Sequence, residues 1–207
     1  MHPNQAFRRT TRTRNVAFAR DRGFGLLALS TDGAPLISHI PFLLSEDGAT
    51  ADLHLARPNP MVRALEGPHP ARLAVAGPHS YVSPDWYGAA DQVPTWNYVA
   101  VHLTGRLEPR PDEELPALLD RLSAHFESAL PKPTWTMAKM TPGVAERMFR
   151  AIKPYRLHVE EVEGTWKLAQ NKDEALRLAA AEGVARDGLG EGLAELAGLM
   201  RDPPETA

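Results

Sequence analysis

Between Gly25 and Ala56 the chain alternates short apolar runs with turn signals: GLLALS, Thr31-Asp32-Gly33, PLISHIPFLL, Glu46-Asp47-Gly48 and ADLHLA. An Asp-Gly pair between apolar runs is the strongest short hairpin signal, so these runs are expected to pair as antiparallel strands. A short helix is expected near 59–65, after which the pattern resumes in ARLAVAG, in HSYVS and in the long run 93–107. A meandering sheet closing into a barrel accounts for this succession.

The period then changes. Leu115, Leu118, Leu119, Leu122 and Phe126 recur on one helical face, with Asp112 as the expected N-cap and Pro116 tolerated in the first turn. Thr141-Pro142 opens a second helix whose Val144, Met148 and Ile152 are expected to face inward, and 155–168 returns to strand with a bend at Gly164. The Ala-rich end reads as helix. Its glycines, 183, 188, 190, 192 and 198, each weaken a helix interior by up to about 1 kcal/mol, so the tail from about Lys172 is expected to pack rather than stand alone. The fold class is therefore mainly β with α. Residues 1–171 are expected to form the barrel domain with helical insertions, and 172–207 a helical extension packed on it.

Composition narrows the possibilities. A chain of 207 residues with net charge −3, 43% hydrophobic and 24% charged residues matches one ordinary folded domain and gives no compositional case for a polyanion partner. Its lack of cysteine removes disulfides, thiolate nucleophiles and Cys-based zinc sites together. No signal-peptide core and no apolar run of membrane length is present, so a soluble, cytoplasmic protein without membrane association is expected.

Aromatic residues make up only 7% of the chain, yet Tyr81, Trp86, Tyr87, Trp96 and Tyr98 crowd into the stretch GPHSYVSPDWYGAADQVPTWNY. Large rings give contact area at low entropic cost and proline fixes the loops that present them, so this stretch reads as part of a binding site. Two further constellations stand out. His39 in SHIPF and His54 in HLARPNP lie in expected strands, where a histidine is more often a hydrogen-bonded structural residue. The continuation after His54 shifts that reading, because Arg57 is a planar cation and Asn59 is a plausible helix cap, a pairing suited to a phosphate. A surface arginine beside a capped helix is the competing interpretation. In EGTWKLAQN, Trp166 can be core and the rest a solvated turn; alternatively Lys167, Gln170 and Asn171 supply donors and acceptors for a heterocycle edge.

Other chemistries find no pattern. There is no G-x-S-x-G elbow, no His-x-x-x-His pair for a metal, and no Walker or Rossmann glycine motif, so no metal site is expected and the catalytic residues stay unassigned. Arg8, Arg9, Arg12, Arg14 and Arg20 precede the first acidic residue, Asp21. They form either a frayed solvated tail or an arm for nucleic-acid phosphates.

The strings HIPFLL, HLARPNP, GPHSYVSPDWY, VPTWNYVAVHLTGRL and EGTWKLAQN, in this order, closely resemble the PaiB-type FMN-binding negative transcriptional regulators. The resemblance runs from the start to about Asn171. It implies a split β-barrel of the pyridoxamine-phosphate-oxidase-like kind, a homodimer with FMN between protomers, and a role in regulating transcription. It also implies that His39, Ile40 and Pro41 lie along the flavin ring and that His54, Ala56, Arg57 and Asn59 lie toward the phosphate. Trp96, Tyr98, Lys167, Gln170 and Asn171 would complete the pocket, with His79, Tyr81, Trp86 and Tyr87 as a substrate or partner surface. Relatives usually carry serine where this chain has Ala169. A flavin-dependent oxidoreductase, with His79 as candidate acid or base, and a non-catalytic binder of flavin or haem are the alternative functions.

Overall fold

The computed structural model describes residues 1–204, which form two compact units. One comprises Ala19–Ala74 and Leu103–Glu161; the other comprises Met1–Phe18, Val75–His102 and the chain from Val162 onward. Seven strands are present: β1 (Phe24–Leu29), β2 (Leu36–Leu44), β3 (Thr50–Ala56), β4 (His69–Val82), β5 (Thr95–Pro109), β6 (Ile152–Lys167) and β7 (Leu189–Glu191). Their order is β1-β2-β3-β6-β5-β4-β7, and because β1 also pairs with β4, six strands close into an antiparallel barrel.

The first unit contains β1 to β3 and the barrel portions of β4, β5 and β6. Strand side chains alternate between faces, and the apolar alternation noted above delivers Leu27, Leu29, Phe42, Leu53, Leu73 and Leu103 to full burial. Both hairpins form: Leu26 faces His39 across β1 and β2, and Phe42 faces Leu53 across β2 and β3. Gly105 is required by close approach, since a Cβ there would lie 1.9 Å from the His158 carbonyl oxygen. The helices of this unit are the last turn of α1 (Arg12–Arg22), then α2 (Pro60–Ala64), α3 (Leu115–Glu127) and α4 (Val144–Phe149).

Helix α3 buries Leu115, Leu118 and Leu122, with Leu119 packed alongside, as its spacing predicts. Asp112 does not cap it. A 3-10 turn over Asp112–Glu114 intervenes, α3 begins without a side-chain cap, and the Asp112 carboxylate pairs with Arg57 instead. The second expected helix is shorter than its apolar pattern. Gly143, at φ 79°, delays its start to Val144, Met148 is exposed, and Ile152 already belongs to β6.

In the second unit the remainders of β4, β5 and β6 are joined by β7, α5 (Glu174–Asp187) and α6 (Leu193–Arg201). The tail glycines do more than weaken a helix. Gly188 to Gly192 break it, and β7 fills the break by pairing with β4, placing Leu189 opposite Tyr81 and Gly190 opposite Ser80. A Cβ on Gly190 would meet the His79 carbonyl at 2.0 Å, so this strand can approach β4 only through glycine. The N-terminal arginines are not a frayed tail, because the chain becomes helical at Arg12, Arg8 pairs with Glu163 at 2.5 Å, and Arg14 lies over the Trp166 ring. Among the described residues, no helix is long and apolar enough to cross a membrane.

Candidate functional site

In the barrel unit, β2 turns His39 outward and Pro41 to a half-buried position while Ile40 enters the core. Only the Ile40 backbone therefore remains available to a ligand on the outer face. The His39 ring stacks on Phe24 at 6.5 Å and 21°. Across the next strand pair, β3 carries His54, half-buried, and Ala56, exposed. His54 Nδ1 is a buried atom with no hydrogen-bond partner. Desolvation pulls the His54 pKa below the ordinary histidine value, so the imidazole is neutral at physiological pH.

Arg57 and Asn59 follow β3 in one turn. The Arg57 backbone N–H donates to the Ala151 carbonyl at 2.8 Å, its Nε to the Arg150 carbonyl at 2.8 Å and its Nη2 to Asp112 at 2.5 Å. With 38% of the side chain exposed, the guanidinium keeps an open side. Asn59 is committed to structure: its Oδ1 accepts from the Met61 N–H, capping α2, and its Nδ2 donates to Ser38 Oγ at 2.8 Å. Ser38 and Asp112 were not readable as partners of this turn. Each lies far away in sequence and only the barrel brings it there.

In the other unit, Trp96 and Tyr98 share one face of β5 while Asn97 points inward and is buried. Trp96, 48% exposed, lies 6.1 Å from the His79 ring and 6.2 Å from Tyr81, forming a ring cluster on one surface. Trp86 and Tyr87 do not join it. Their 3-10 turn, Pro84–Tyr87, is capped by Ser83. A Cβ on Gly183 of α5 would touch the Trp86 ring at 2.4 Å, and Tyr87 is 3% exposed. Trp86 therefore packs against α5 and Tyr87 is buried, while His79 and Tyr81 lie beside Trp96.

Lys167 ends β6 with its Nζ donating to Thr95 Oγ1 and lying 5.9 Å from the Phe7 ring centroid. Burial lowers its pKa from the ordinary lysine value. Gln170 is closed on its own turn: Oε1 accepts from the Leu168 N–H at 2.8 Å, and Nε2 donates to the carbonyls of Trp166 at 2.5 Å and Ala6 at 3.3 Å. Asn171 is exposed. Ala169 is buried at φ 62°, a left-handed conformation unusual for alanine.

The two units, each taken by itself, offer different binding chemistry. Arg57 is a permanent cation with an accessible fork, suited to phosphate oxygens. In the other unit Lys167, with Thr95 beside it, is a half-buried donor suited to an electron-rich ring edge.

Residues 1–161 match a family model described as "Putative FMN-binding domain". The protease synthase and sporulation protein PAI 2 of Bacillus subtilis is 31% identical over 160 residues, covering 76% of each chain. An uncharacterized protein of Aspergillus fumigatus is 30% identical over 233 residues, covering 86% of this chain and 89% of its own. Among solved structures, the FAD and heme binding protein of Mycobacterium smegmatis superposes with a TM-score of 0.58 at 20% identity, covering 89% of this chain and 82% of that one. The flavocytochrome Anf3 of Azotobacter vinelandii gives 0.59 at 18% identity, covering 80% and 72%. At those identities the structures establish a shared fold, the split barrel. The family model and the bacterial relative establish more: this chain belongs to the PaiB-type FMN-binding family of split-barrel proteins.

Proposed function

We propose that this FMN-binding protein is a cytoplasmic, homodimeric regulator of transcription that contacts DNA through its N-terminal arginines. The observation that carries this reading is that Arg9, Arg12 and Arg14 are exposed along a short, ordered stretch that becomes helical at Arg12. An ordered row of cations holds phosphates at lower entropic cost than a loose tail. The bacterial relative's name, which refers to protease synthase and sporulation, supports a role in controlling expression. Phe24 and Ile37, 54% and 55% exposed at the two ends of the outer face of β1 and β2, support self-association, since exposed apolar side chains on one face mark interaction surfaces. In this reading Arg57 takes the flavin phosphate, and His39, the Ile40 backbone, Pro41 and Ala56 line the cofactor on the barrel unit, while His54 lines the separate apolar cavity beside α3 and α4. Asn59 and Gln170 each hold the backbone of their own turn, and Trp96, Tyr98, Lys167 and Asn171 form a candidate surface of the other unit, taken by itself.

The test is retention of labelled genomic DNA fragments by the purified protein at physiological salt, with and without FMN. A defined subset should be retained, and Arg12→Ala with Arg14→Ala should abolish retention and flatten its salt dependence. Absence of specific retention in both flavin states removes direct regulation.

One observation favours a second reading, a flavin-dependent oxidoreductase: the cluster of half-buried His79 and Tyr81 with exposed Trp96 has the character of a substrate wall. FMN supplies hydride or single-electron transfer when bound, and these residues would position the acceptor. Steady NAD(P)H consumption with a defined acceptor selects this reading, and an unchanged rate in His79→Ala excludes that histidine from it.

A further inference from the structure

The barrel unit contains a cavity of about 480 Å³ whose walls come from β3, α3, the segment around Trp135 to Met140, and α4. It is separate in character from any phosphate site, because among the described residues none of its lining side chains is charged. Trp135, Met137, Met140, Met148 and Phe149 form one wall, and none of them is buried. Leu119 and Ile152, together with Phe149, pack on the buried leucines of α3 and make the firmer part of the lining. Two polar groups line the cavity, His54 and Ser123. We propose that this cavity binds a neutral aromatic compound bearing a hydroxyl group, held between the methionine-rich wall and the His54 imidazole.

Each part of that ligand class follows from the lining. A volume of this size lies within the range of small-molecule pockets, and an apolar lining with few polar groups is their usual composition. Thioethers are polarizable and make favourable contacts with ring edges, so three methionines beside a tryptophan suit an aromatic guest better than an aliphatic one. A charged guest is disfavoured, because the described lining offers no counter-ion and desolvating an unpaired charge is costly. The hydroxyl answers His54. Its ring lines the cavity and burial keeps it neutral, so one ring nitrogen donates and the other accepts. A hydroxyl can serve either role, whichever tautomer is present. The inference does not depend on DNA binding or on flavin chemistry.

Calorimetric titration of the full-length, FMN-loaded protein with 2-naphthol tests it. Saturable binding of one equivalent per chain is expected. His54→Phe should weaken it about fivefold or more, the effect of losing one ordinary hydrogen bond. Ala145→Trp, which fills the cavity from α4, should abolish it while leaving the flavin absorption spectrum and the far-ultraviolet circular dichroism unchanged. Failure to saturate, equal affinity in both variants and wild type, or displacement of 2-naphthol by added FMN would each overturn the proposal. The last result would assign the cavity to the flavin.

Discussion

The indole Nε1 of Trp166 donates to Asn15 Oδ1 at 2.7 Å, and both side chains are buried. Asn15 is held in place from its other side by the Thr10 carbonyl, which accepts from Nδ2 at 3.3 Å. Gly164 completes the contact, since a Cβ there would lie 2.1 Å from the same Asn15 oxygen. The pair thus ties α1 to β6 within one unit, and it explains a tryptophan amid polar neighbours as a structural anchor. Asn15→Leu leaves a buried N–H without a partner, which costs about 1–3 kcal/mol. Urea unfolding should show that loss as a lower midpoint with an unchanged slope; an unaltered midpoint would show the bond to be dispensable.

Gly105 makes a second, independent prediction. The atoms nearest a Cβ at this position are backbone: the His158 oxygen at 1.9 Å and the Glu160 nitrogen at 3.1 Å. Backbone in a neighbouring strand cannot rotate aside as a side chain does. Gly105→Ala should therefore destabilise the barrel by about 2–3 kcal/mol or prevent folding. Gly67→Ala is the matched control, because nothing lies within 4 Å of its added Cβ, and its melting temperature should stay close to that of the wild type.

Acid sensitivity is localised at Asp52. Burial alone would raise its pKa, but hydrogen bonds from Arg156 at 2.6 Å and Arg121 at 2.8 Å outweigh that and hold it below the ordinary aspartate value. A carboxylate depressed in the folded state stabilises the protein above its unfolded pKa, and the contribution disappears as pH falls through the folded value. Stability should therefore decline below about pH 4. Asp52→Asn should remove that part of the decline and cost about 2–3 kcal/mol at neutral pH, because two guanidinium groups lose their shared anion. Chemical denaturation at pH 7, 4 and 3 measures both effects, and parallel pH profiles for variant and wild type would contradict the assignment.

How much of this was legible in sequence depended on the range of the interactions involved. The hairpins around Asp32-Gly33 and Asp47-Gly48 are local, and so is the α3 stripe; each formed where its pattern placed it. Strand β7 was hidden, because Leu189, Gly190 and Glu191, bracketed by Gly188 and Gly192, are too few to show alternation and pair only through the His79 to Tyr81 edge. The candidate site divides in the same way. The cap formed by Asn59 is a local bond that composition predicts. The diversion of Asp112 to Arg57, the closure of the Gln170 amide on its own turn and the loss of Trp86 beneath α5 depend on how distant segments or backbone turns assemble.

That diversion gives the sharpest test of the cofactor site. Arg57 has two conceivable roles: it binds the flavin phosphate, or it only ties Asp112 and the Arg150 carbonyl to the end of β3. The phosphate role acts on FMN alone, since riboflavin has the same ring without the phosphate. Arg57→Ala should then weaken FMN about tenfold or more, as expected for a hydrogen bond to a charged group, while leaving riboflavin nearly unchanged. Asp112→Asn pushes in the opposite direction. It removes a carboxylate that competes for the guanidinium, so FMN should bind more tightly and riboflavin should again be indifferent. A purely structural Arg57 predicts a different pattern, in which both substitutions loosen the same tie and impair both flavins together. Fluorescence titration of the wild type and both variants with each flavin separates the two, and equal losses for FMN and riboflavin in Arg57→Ala would remove this arginine from the phosphate.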